Sequence, residues 1–80
     1  MDIKDKVTDI YKKHFSKRVD KIMVDYSNDT KVKTELQDRL MMLSLNLSIA
    51  LEFENAYSVK LLIGEFNDYL SRIEKKETDF

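Results

Sequence analysis

Seven consecutive residues, Lys12-Lys13-His14-Phe15-Ser16-Lys17-Arg18, hold the densest polar chemistry in the chain. Four cations and an imidazole around one aromatic ring could grip phosphates. Asp9 and Asp20 flank the run, and Lys17 and Lys21 lie within helical reach of acidic neighbours. The simpler reading is therefore a solvated helix face with Phe15 turned into the core. A protein partner with an acidic surface would recognise Lys12, Lys13, Lys17 and Arg18 as well as a nucleic acid would.

Catalytic and metal-binding chemistry is poorly supplied. His14 is the single histidine and cysteine is absent, which rules out disulfides and thiolate metal sites and leaves no imidazole pair for zinc. The carboxylate pairs Glu52/Glu54 and Glu65/Asp68 are of a kind that a highly charged helical surface produces by default. A chain this small is not expected to form a deep pocket of several hundred Å3. The expectation is a protein without enzymatic activity, cofactor or metal.

Apolar residues carry more information. Residues 40–53 read LMMLSLNLSIALEF, and ten of these fourteen are Leu, Met, Ile, Ala or Phe. Leu36, Leu40, Leu43, Leu47, Ala50 and Leu51 form one helical stripe. Met41, Met42, Leu45, Ile49 and Phe53 form a second, on a neighbouring or opposed face. In one reading this is a central helix covered all round, with Ser44, Asn46 and Ser48 filling tight spots. In the other, two short partner helices cannot cover it, and the second stripe forms a dimer seam or receives another chain's helix. The second reading is favoured: small chains gain stability from association, and adjacent methionines make an adaptable contact.

The elements that must position these residues are helical. Proline is absent and glycine occurs once among 80 residues, so hairpin turns lack their usual residues. Steps of three and four from Ile3 to Tyr26 predict an amphipathic helix over residues 2–26. Ser27-Asn28-Asp29 marks a loop, a second helix spans about 31–53, and a third spans about 56–76. Asn55 or Ser58 is the expected cap of the third, and residues 77–80 are an expected frayed tail. Thr34 with Gln37 suits a capping box, and Asp29 or Thr30 an earlier start. The fold class is all-α: one domain over 1–80, a small three-helix bundle made of a helical hairpin with the N-terminal helix packed on it, dimerising.

A helix-turn-helix reading is disfavoured, because the only glycine, Gly64, lies inside the third helix, whose outward charges are mainly acidic. Gly64 there reads either as a close helix approach or as a tolerated surface glycine. Residues 1–33 carry nine Lys/Arg against six Asp, and residues 34–80 five Lys/Arg against nine Asp/Glu. The net charge of −1 argues against a purely electrostatic DNA-coating protein. Ala50-Leu51-Glu52, Asn55, Val59, Leu62 and Glu65-Phe66-Asn67 resemble the short helical hairpin of the IDEAL domain, but the acidic pattern of that domain is missing. The resemblance carries over no functional residue.

No apolar run is long enough for a membrane span, and no signal peptide is recognisable, so the expected location is cytoplasmic. The expected function is a small protein-binding regulator or inhibitor of bacterial or phage origin. Its apolar contact would be Met41, Met42, Leu45, Ile49 and Phe53, and its charged rim Lys12, Lys13, Lys17 and Arg18. The alternatives are a nucleic-acid-associated regulator using the first helix, and a structural assembly subunit.

Overall fold

The computed structural model describes residues 2–76, which form four α-helices: α1 Ile3–His14, α2 Ser16–Asp25, α3 Thr30–Glu52 and α4 Ala56–Glu74. The expected frayed tail at 77–80 lies outside the described residues. Three of the four helices begin on a side-chain cap. Asp2 accepts from the Asp5 amide (2.9 Å), Asp29 from the Val32 amide (3.1 Å) and Asn55 from the Ser58 amide (3.0 Å). Each satisfies an amide that the first helical turn leaves without a partner. Asp29 thus starts α3 one turn before the Thr34–Gln37 box.

α3 and α4 form the helical hairpin. Its turn closes without glycine: Glu54 adopts a left-handed φ of 52°, its amide bonds Leu51 O, and the Asn55 amide bonds Ala50 O. This is a Schellman stop with glutamate where glycine is usual. Asn55 then caps the next helix, so two neighbouring residues end α3 and begin α4.

The count of three helices is corrected here to four. The residue 2–26 segment breaks at Phe15, whose φ of −130° leaves the helical range. Packing explains the break. α1 lies against α3 while α2 lies against α4, so the segment must change direction as it crosses the hairpin. Phe15 is buried at that point, edge-on to Phe66, with ring centroids 4.9 Å apart and planes at 74°. Neither glycine nor proline marks the site, and the apolar spacing runs through it unbroken.

The core joins all four helices. Val7, Phe15, Val19 and Ile22 meet Val32, Leu36, Leu43 and Leu47 of α3, and Phe66, Tyr69, Leu70 and Ile73 of α4. Burying a large apolar side chain stabilises by about 1.5–3 kcal/mol, and Leu36, Leu47, Leu70 and Ile73 are completely enclosed. The Tyr26 hydroxyl donates to the Ile73 carbonyl (3.2 Å) and ties the end of α2 to the end of α4. No helix among the described residues is long and apolar enough to cross a membrane.

Candidate docking face on helices 3 and 4

α3 is buried on one side only. Leu36, Leu43, Leu47 and Ala50 sit in the core, whereas Met41, Met42, Leu45, Ile49 and Phe53 lie roughly opposite, in solvent. The expected second stripe is therefore an exposed surface, and the reading in which α3 is covered all round does not hold. Nor do the small polar residues fill tight spots. Ser44 and Asn46 are exposed, and the Ser48 hydroxyl donates to the Ser44 carbonyl four residues back (2.8 Å).

The face extends onto α4, which the sequence reading missed. Tyr57 and Leu61 are exposed, and all seven side chains are between 47% (Leu61) and 77% (Phe53) accessible. A signal existed: Tyr57 and Leu61 are four apart and fall outside the α4 core stripe of Leu62, Phe66, Tyr69, Leu70 and Ile73. Between the helices, Ile49, Ala50 and Phe53 face Ser58, Leu61 and Leu62 across an open groove of about 410 Å3. Its polar groups are Asn46, Asn55, Ser58 and Glu65, and the Asn55 side chain is already committed to the cap of α4.

A second cleft, of about 830 Å3 between α2 and α4, is lined by Lys21, Ile22, Asp25, Tyr26, Ile73, Glu74 and Lys76. Both clefts are open rather than enclosed, so neither is the deep pocket that a chain of this size was not expected to form. Both lie at the surface between helices. Among the described residues no group of three or more His, Asp or Glu side chains is placed to hold a metal ion. His14 is exposed and lies 5.9 Å from the Phe15 ring.

The basic run is divided by the Phe15 break. Lys12, Lys13 and Lys17 are exposed, while Phe15 enters the core. Arg18 is drawn onto α4 instead. Its Nε and Nη2 donate to the two carboxylate oxygens of Glu74 (3.1 and 2.6 Å). Nη1 donates to Asn67 Oδ1 (2.6 Å) and Nη2 to Ser71 Oγ (3.2 Å). The hydrogen bond from Arg18 holds the Glu74 carboxyl below its ordinary value, and the same bond raises the Arg18 guanidinium. Arg18 is therefore a clamp between α2 and α4.

At the other side of the hairpin, Arg39 donates to Glu35 (3.2 Å) and sits 4.9 Å from the centre of the Tyr69 ring. Burial, and then the Glu35 charge, push the Tyr69 hydroxyl up to about 12, against the opposing effect of Arg39. These contacts brace the hairpin from outside the core. Comparison with known proteins finds no matching family model, no similar curated protein and no similar solved structure.

Proposed function

We propose that this chain is a small, non-enzymatic cytoplasmic binding protein that regulates or inhibits a larger protein by docking a helical surface onto the α3–α4 face. One observation carries the reading: Met41, Met42, Leu45, Ile49 and Phe53 are exposed along one side of α3, Leu61 of α4 lines the groove beside Ile49 and Phe53, and Tyr57 is exposed one turn before Leu61. At about 200 Å2 for a fully exposed large side chain, their separate exposures sum to on the order of 850 Å2, an upper bound for the apolar face. The largest apolar patch of an ordinary monomer is about 300–600 Å2, and a standard interface takes about 800 Å2 from each partner. Three exposed lysines, Lys12, Lys13 and Lys17, remain for a charged rim or for phosphates.

The test is a tagged pull-down from lysate of the source cell, run with and without nuclease, comparing the native chain with Leu45→Glu. The expected result is a stoichiometric protein that survives nuclease and is lost with Leu45→Glu. Co-purifying nucleic acid, with proteins that disappear after nuclease and are indifferent to Leu45→Glu, would move the function to the basic helices and sink this reading.

A further inference from the structure

We infer that the partner of the α3–α4 face is a cationic amphipathic helix, whose apolar stripe is flanked by lysine or arginine. The inference rests on the reading of that face as a docking surface and names the chemistry of what docks. It is carried by the sign of the charges that border the apolar side chains.

Seven residues make about two helical turns, so Asp38 and Glu52 stand on the same line of α3 as Leu45, one to either side of it. Glu54 is exposed in the turn that follows. On α4, Glu65 and Asp68 come four and seven residues after Leu61 and share its side of the helix. Glu65 lines the groove itself, together with Ile49, Phe53 and Leu61. All five carboxylates are exposed, and none forms an ion pair with another described residue.

The cations are placed elsewhere. Arg39 bonds Glu35 and lies over the Tyr69 ring. Lys60 is turned about 100° from Leu61, to the side away from Leu62 and the groove. Arg72 comes one turn after Asp68, well past Leu61, the last exposed large apolar residue of α4. Lys12, Lys13 and Lys17 belong to α1 and α2, which pack on the core side of the hairpin.

The apolar face is thus bordered by negative charge that a partner must neutralise, and that sign decides between occupants. Nucleic acid and anionic lipid carry the wrong charge. A second copy would bring an equally acidic border against this one. The groove also favours a helix over an extended peptide. Its polar groups are few and the Asn55 side chain is committed to the α4 cap, so an extended backbone would go unsatisfied, whereas a helix pairs its own amides and carbonyls.

The probes are two labelled synthetic helices of about 20 residues, long enough to hold helical structure. They share one leucine stripe and differ in its flanks, lysine in one and glutamate in the other. Fluorescence anisotropy with the full chain should show the leucine–lysine helix binding at least about tenfold tighter than the leucine–glutamate helix. Removing the carboxylates with Glu52→Gln, Glu65→Gln and Asp68→Asn together should shrink that preference several-fold. Leu45→Ser, an exposed position, should weaken the leucine–lysine helix by about tenfold. A scrambled peptide of the same composition, which has no apolar stripe, should not compete.

The inference is overturned if the leucine–lysine helix does not bind, if both helices bind alike, if the preference survives loss of the carboxylates, or if the scrambled peptide competes. Two other occupants are tested alongside. A native chain that sediments at twice the mass of one chain, and at one chain's mass with Leu45→Ser, would put a second copy on the face. Binding to anionic-lipid vesicles that is lost with Leu45→Ser would put a membrane there. Either result would also overturn the inference. A protein captured in the pull-down and lost with Leu45→Glu, when no cationic helix binds, would refute the partner's chemistry alone. A chain that binds the leucine–lysine helix and captures nothing would leave that chemistry standing and remove the target.

Discussion

The Arg18 clamp yields the most direct prediction about stability. Replacing Arg18 by Ala removes a two-point contact with Glu74, at 2.6 and 3.1 Å, and the bonds to Asn67 and Ser71. Charge-assisted bonds of this geometry reach about 1.5–3 kcal/mol when water is excluded. Here the two side chains keep 29% and 38% of their exposure, so screening lowers the figure toward the ~0.2–1 kcal/mol of surface pairs. The two-point fork places the Arg18–Glu74 coupling near the upper end, at about 1 kcal/mol. Loss of the half-buried arginine stem adds a similar amount for Arg18→Ala as a whole. A domain of this size loses about 4–8 °C in Tm per kcal/mol.

The assay is thermal unfolding followed by helical circular dichroism, on Arg18→Ala, Glu74→Gln and the double variant, with each single variant checked for its mass. The pH dependence gives a second arm. The carboxyl of Glu74 is depressed in the folded chain below its ordinary 4.5, so its stabilisation is present above pH 4.5 and is lost as pH falls through the lower folded value. The coupling should therefore vanish in acid. A coupling of zero at neutral pH, or an Arg18→Ala chain as stable as the native one, would mean that Arg18 is a free surface cation and that the clamp contributes nothing.

Two further perturbations follow from the same packing. At Gly64 a Cβ would meet nothing within 4 Å, so the glycine is a surface position and not a close approach within the chain. Gly64→Ala should raise stability by about 0.5–1 kcal/mol, read as a higher Tm, and a lower Tm would show that the position is sterically constrained after all. For Tyr69, whose hydroxyl is raised from 10.0 to about 12, the neutral form is favoured in the folded chain. The resulting stability is present below pH 10 and declines as pH rises from about 10 to about 12, by at most about 2–3 kcal/mol. Urea unfolding along this range should show the slope in the native chain and a shallower one in Tyr69→Phe, and identical slopes would refute it.

Much of the architecture is legible in the sequence because it rests on local chemistry. The absence of proline and the single glycine argue against a β fold, and Ser27-Asn28-Asp29 and Asn55 mark the helix starts with side chains that bind amides three residues on. The two stripes of α3 are legible as well, since a helix with apolar residues at both sets of positions must expose one of them unless enough chain exists to cover it. Periodicity reports how many apolar faces a helix has. It does not report which neighbour reaches each face, so burial of the Leu36–Leu43–Leu47 side and exposure of the Met42–Leu45–Ile49 side were decided by where α1 and α4 pack. The break at Phe15 has no local signal; it arises because α1 and α2 lie on different partners and the ring must enter beside Phe66. Arg18 sits among lysines in sequence, yet its partner Glu74 is 56 residues away. Only the tertiary fold brings that carboxylate within reach and turns one cation of a basic run into a clamp.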